Sequence, residues 1–246
     1  MQETTGQKGH LHPISIAVRD IVDIFGRMGF SVATGPELED DQHNFTGLNV
    51  PPNHPARGMQ DTFWVKDKVG EQVLRTHCTA MSLRALEKLA RAGGDTARVI
   101  SPGKAFRNEA TDMTHEAQFY QIDGFAVGAP GTVTLAHLKG TLLTFFREYF
   151  GPDAKIRLRP SFFGFTEPSV EVDVWFTPPG KEGRWLEVMG AGMFHPNVIK
   201  AAGLDPEKVQ GFAFGGGIER LVMIKYGVPD IRLFHNGDVR FVHAFE

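Results

Sequence analysis

The stretch Gly211-Phe-Ala-Phe-Gly-Gly-Gly-Ile-Glu-Arg220 runs from an apolar strand, through a glycine turn, into a helix that continues with Leu221, Val222 and Ile224. Glycines let backbone approach a ligand closely and a helix N-terminus favours anions, so the junction reads as an anion site with Arg220 beside it. A dinucleotide-binding loop is the competing reading. It fails on length, because only 26 residues follow Arg220, too few for the strand–helix repeats of a doubly wound sheet. A glycine C-cap with a solvated arginine is the plain structural alternative for this segment taken alone.

Upstream, Val170, Val172, Val174 and Phe176 alternate with Glu171, Asp173 and Trp175. That period of two marks an antiparallel strand with two different faces. Strands at 155–161 and 184–189 flank it without intervening helices, which predicts an α+β fold: an antiparallel β-sheet flanked by helices. Further out, Pro13 opens a helix whose apolar residues Ile14, Ala17, Val18, Ile21, Ile24, Phe25 and Met28 recur at helical spacing until Gly29. A strand over 30–34 stops at Gly35-Pro36. Residues 40–60 carry three prolines, Pro51, Pro52 and Pro55, and read as a long ordered loop, a length that tends to accompany function. Strands are predicted at 61–66 and 72–75, helices at 79–92 and 133–149, and a strand pair at 104–107 and 119–127. After a polar leader over 1–9, residues 10–246 form one domain.

Composition limits the partners. With 246 residues, a hydrophobic share of 41% and net charge −3, the chain can bury one sizeable core and has no overall pull towards nucleic acid or anionic membrane. The single cysteine, Cys78, excludes a disulfide framework and a multi-cysteine zinc site, which fits a reducing compartment, the cytoplasm. No apolar run is long enough to span a bilayer.

A second chemical segment, Gly103-Lys-Ala-Phe-Arg-Asn-Glu109, sits before a polar turn and the return stretch Glu116-Ala-Gln-Phe-Tyr-Gln-Ile-Asp123. Such a hairpin can hold a nucleotide. Phe119, Gln121 and Asp123 share one strand face because side chains repeat every two residues. A polar strand face with Arg107 paired to Glu109 or Asp112 is the bland alternative.

Together these two segments resemble motifs 2 and 3 of the class II aminoacyl-tRNA synthetases, and the helix and strand ending at Pro36 resemble motif 1. Along nearly the whole chain the similarity is to the alpha-subunit family of bacterial phenylalanyl-tRNA synthetases. It is carried by Gly9-His-Leu-His-Pro-Ile, Gly35-Pro-Glu-Leu-Glu, Leu74-Arg-Thr-His77, Thr114-His-Glu116, Phe163-Gly-Phe-Thr-Glu-Pro168, Trp185-Leu-Glu-Val-Met-Gly-Ala-Gly-Met193 and Phe212 to Arg220. The resemblance implies a class II synthetase catalytic domain that condenses phenylalanine with ATP and passes the aminoacyl group to tRNA(Phe). It implies that Arg107 bridges the substrate carboxylate and the α-phosphate, that Arg220 holds the γ-phosphate, that Phe119 stacks on adenine, that His115 reaches the phosphates, and that Glu109 lies near both substrates. His77, Thr79, Gln121 and Asp123 would surround the ammonium and carboxylate of phenylalanine. Phe163 and Phe165 would grip the ring above Ala213, and Glu167 would bind Mg²⁺. Thr79 stands where the family commonly has serine, and Asp123 where it has glutamate; each keeps the chemistry and changes the reach.

The family also implies a beta-subunit partner in an α2β2 heterotetramer. An apolar pocket for phenylalanine rejects one added hydroxyl poorly, so proofreading is expected, and on another polypeptide. Related subunits begin with a helical coiled-coil arm that touches tRNA, whereas here the motif 1 region starts by residue 10, so weak tRNA affinity is expected of the chain alone. Two further functions compete: a synthetase-like binding or regulatory module without ligase activity, disfavoured by Arg107, Glu109, Phe119 and Arg220, and a class II enzyme for another amino acid, disfavoured by the Phe163–Phe165 pair.

Overall fold

The computed structural model describes residues 9–58, 62–66, 71–177 and 182–245. The polar leader therefore lies, but for Gly9, outside the described residues.

Helix α1 (Pro13–Arg27) starts where the prolyl φ suits a first turn, with His12 Nδ1 accepting the Ile14 N–H at 3.2 Å. Past its C-cap Met28 the chain turns at Gly29, whose φ of 81° is the left-handed conformation that glycine adopts without penalty. Residues 30–34 contribute two strand residues, β1 (Ser31–Val32). A small sheet follows in the order β2–β4–β3, built from β2 (Leu38–Glu39), β3 (Trp64–Lys66) and β4 (Glu71–Leu74). The expected strand at 61–66 thus starts at Trp64, and residue 61 lies outside the described residues.

The 40–60 loop is ordered by its own short turns: α2 (Asp41–Asn44), capped by Asp40, and 3₁₀ turns at Thr46–Leu48 and Pro55–Arg57. Its buried Asn44 exchanges two 3.1 Å hydrogen bonds with Thr76, and Asn49 Nδ2 donates to the Gly164 carbonyl at 2.7 Å.

The main sheet has seven strands in the order β1-β5-β6-β10-β9-β8-β7. Its members are β5 (Ala97–Phe106), β6 (Gln118–Gly128), β7 (Ile156–Phe163), β8 (Thr166–Phe176), β9 (Arg184–Phe194) and β10 (Gln210–Gly217). The antiparallel expectation holds for every pair except β1–β5, which is parallel. Strand β5 begins seven residues before the predicted 104, and contains Pro102 and Gly103. Proline is tolerated there because β1 covers β5 only at Val99 and Ile100, leaving Pro102 on an open edge. The glycine turn expected after Phe214 is absent. Gly215–Gly217 remain in β10, paired with Asp123, Ile122 and Gln121, and α6 (Ile218–Tyr226) starts directly after them.

Alternation along the strands divides the core. Ile122, Phe212, Phe214, Val170, Val172 and Val174 face a layer made by α1, α4 (Leu135–Phe150) and α6. Phe125, Val127 and Ala213 face α3 (Thr79–Arg91), the 40–60 loop and α5 (Pro196–Ala201), a short helix that the sequence reading missed. A 3₁₀ turn at Ile231–Phe234 and the short helix α7 (Val239–Val242) close the chain.

Candidate active site

Because side chains alternate on β6, the face carrying Phe125 also carries Asp123, Gln121 and Phe119 towards the end of the strand, and adjacent β10 adds Ala213 and Gly215 to that face. Arg107 is the first residue beyond β5. Its backbone N–H donates to Ala117 O at 3.0 Å, its Nε donates to Thr76 O at 3.3 Å, and its guanidinium lies 5.1 Å from the Phe119 ring centre.

Two adjoining cavities open on this face. The first, about 520 Å³, is lined by Arg107, Glu109, His115, Phe119 and Arg220, together with Glu116, Glu187, Glu219 and the glycines of β10. The second, about 380 Å³, is lined by His77, Thr79, Gln121, Asp123, Phe163, Phe165 and Ala213. Arg107 and Gln121 line both. The residues expected around a nucleotide and those expected around an amino acid thus fall into separate but touching spaces, with Arg107 at the junction. Glu109, expected near both, lines only the first of the two.

The second cavity is aromatic on one side and polar on the other. Phe163 and Phe165 lie 5.8 Å apart with planes 8° from parallel. Gly190 leaves them room: a Cβ there would come within 2.8 Å of Phe163 Cζ. Opposite, Asp123 is 2% exposed and accepts from the Thr79 hydroxyl and from Gln121 Nε2 at 2.9 Å. Burial pushes its carboxyl up to about 7, against the opposing pull of Thr79 and of the Arg107 and Arg75 charges. Burial, then the Arg107 charge, pushes His77 down to about 4, so its ring is neutral near pH 7. Its Nδ1 is buried and has no hydrogen-bond partner among the described residues. A buried carboxylate and an unpartnered imidazole nitrogen are acceptors suited to an ammonium.

In the first cavity, burial followed by the charge of Arg184 holds Arg220 below its ordinary value, a guanidinium whose charge an anion would offset. The N-terminus of α6 beside it has no side-chain cap among the described residues. Gly215 and Gly216 admit no Cβ without striking the Asp123 carboxylate or the Val188 carbonyl, so these glycines serve close packing between strands rather than a turn. His115 is exposed and bonded to Asp112 at 3.1 Å.

Glu167, expected to bind a metal, lines neither cavity. Its side chain is 76% exposed and lies 3.5 Å from His195 Nε2. Sequence reasoning missed three cavity-lining carboxylates, Glu116, Glu187 and Glu219. All three stand within stretches already singled out, Glu116 before β6, Glu187 on β9 and Glu219 beside Arg220, and for the last two the strand or helix face would have found them.

A model of the family described as tRNA synthetases class II core domain (F) matches residues 1–245. The phenylalanine–tRNA ligase alpha subunit of Bacillus pumilus is 48% identical over 245 residues, covering 97% of this chain and 69% of that protein. That of Pectobacterium atrosepticum is 47% identical over 242 residues, covering 98% and 70%. Pyrrolysyl-tRNA synthetase from Desulfitobacterium hafniense shares the fold with a TM-score of 0.71 at 16% identity, over 91% of this chain and 73% of that one. Agreement of this extent along almost every residue establishes kinship: the chain belongs to the class II tRNA synthetases, in the alpha-subunit family of phenylalanine–tRNA ligase.

Proposed function

We propose that the chain is the catalytic alpha subunit of a phenylalanine–tRNA ligase, which activates phenylalanine with ATP and transfers it to tRNA(Phe) in assembly with a beta subunit. The observation that carries this reading is Arg107 at the junction of the two cavities. Activation requires a carboxylate oxygen to attack the α-phosphorus as pyrophosphate leaves, against the repulsion of like charges. One fixed guanidinium reaching both groups positions them and stabilises the charge that builds up between them.

The remaining residues then divide by cavity. Phe119 offers a ring face to adenine, and Arg220 with the open end of α6 takes the terminal phosphate. In the second cavity Asp123, Gln121, Thr79 and His77 receive the ammonium, while Phe163 and Phe165 hold the ring over Ala213. ATP brings Mg²⁺, and the protein need add only one or two oxygens. The carboxylates of Glu109 and Glu187 inside the first cavity fit that ion better than exposed Glu167 does. Bound there, the ion would neutralise charge on the phosphates.

Amino-acid-dependent ATP–pyrophosphate exchange over a panel of amino acids, with and without a beta partner, tests the reading. Exchange driven by phenylalanine is expected. Exchange driven by a different amino acid would replace the substrate, and none with any amino acid, partner present, would favour a binding module.

A further inference from the structure

Strand β10 pairs with β6 as far as Gly217 opposite Gln121, and the chain then leaves the sheet to become α6. On β6 the next backbone N–H, that of Tyr120, has lost its strand. Glu219, in the first turn of α6, supplies the acceptor in its place: Oε1 lies 2.7 Å from Tyr120 N. The side chain thus extends the ladder by one bond after the backbone has departed. The flanking residues on β6 are Phe119 and Gln121, and the next residue on α6 is Arg220, all of them lining the first cavity.

Glu219 is 1% exposed, and its second oxygen, Oε2, is buried without a hydrogen-bond partner among the described residues. A half-satisfied buried carboxylate is a poor way to fill a core, so packing alone does not account for it. Burial and the neighbouring Glu116 charge push its carboxyl up to about 7, and His235 Nε2 stands 3.8 Å from Oε1.

We propose that Glu219 is a positioning residue for ATP, tying the N-terminus of α6 to β6 and so fixing Arg220 relative to Phe119 across the cavity. The inference rests on the proposed function only in naming ATP as the ligand. Glu219 acts through its neighbours, not on the reacting atoms.

The test compares Glu219→Ala, Glu219→Gln and Glu219→Asp in the subunit assembly, by KM and kcat in exchange and by calorimetric Kd for ATP. Alanine should raise the ATP KM and Kd by about tenfold or more while the phenylalanine KM changes less than about twofold, a split that general loosening would not give. Glutamine keeps an acceptor oxygen for Tyr120 and should stay within about threefold, and aspartate, whose oxygen is drawn back by one methylene, should fall between. Native ATP affinity in the alanine variant, glutamine as impaired as alanine, or a matching rise in both KM values would overturn the proposal. Should the alanine variant not fold, aspartate weaker than glutamine for ATP supports it and equality overturns it. A wild type that binds ATP but activates another amino acid would sink the phenylalanine reading and leave this one standing.

Discussion

Asp123 holds a carboxylate in a site where the folded chain would be more stable without its charge. Its folded value of about 7 exceeds the unfolded carboxylate value of 3.8, so the folded state binds the extra proton between those limits. Stability contributed by the neutral form is present below the unfolded value and is lost as pH rises towards about 7. Asp123→Asn should therefore melt higher than wild type near pH 8, by on the order of 1–3 kcal/mol, while below about pH 4 the two converge. The Thr79 hydroxyl can rotate to accept from the new amide, so the pocket survives. Phenylalanine activation should nonetheless fall, because the ammonium loses its counter-charge. By the same linkage, wild-type affinity for phenylalanine should weaken as pH drops through about 7, where Asp123 takes up a proton, an effect calorimetry at several pH values would register. Ala213, 5% exposed, lines the same cavity. Ala213→Gly should admit para-substituted rings, and unchanged discrimination would sink that role. Asp123 and Gln121 were legible in the sequence through strand periodicity. Their shared bond, and the rise in the carboxyl of Asp123, were not, because both depend on what β10 and α3 bring opposite.

At the scale of elements, the 40–60 loop supports the aromatic wall from outside. Asn49, in the left-handed region with φ 60°, donates to Gly164 O and accepts from Asn197 Nδ2 at 2.9 Å. Asn49→Ala should raise the phenylalanine KM by roughly three- to tenfold with the ATP KM unchanged, since only the Phe163–Phe165 hairpin loses its brace. Gly216→Ala places a Cβ against the Val188 carbonyl, where no rotamer gives relief, and should destabilise the chain by about 1–3 kcal/mol in denaturant titration. Elements with a clean period, α1 and β8, could be read from composition along the chain. Pro102-Gly103 concealed the start of β5, since their tolerance follows from an edge that only the strand order reveals. Gly215–Gly217 looked like a turn for a related reason: glycine that permits close approach and glycine that bends a chain are indistinguishable in one dimension.

For the molecule as a whole, the sheet's main achievement is to set two cavities side by side, one phosphate-facing and one aromatic, with a single arginine common to both. Separate segments of sequence supplied the parts, while their adjacency is a property of strand order β5-β6-β10-β9. The chain spans 69–70% of the length of the alpha subunits compared with it, and carries net charge −3. On its own it should bind tRNA weakly and lose that binding as salt rises, and tight, salt-resistant retention in a filter assay would contradict this. The account turns on Arg107, and phenylalanine-dependent ATP–pyrophosphate exchange by Arg107→Ala and Arg220→Ala, assembled with a beta subunit, tests it most directly. Loss of kcat by about 100-fold or more in Arg107→Ala, with Arg220→Ala in addition raising the ATP KM, is the expected result; an Arg107→Ala enzyme whose kcat is unchanged would contradict it.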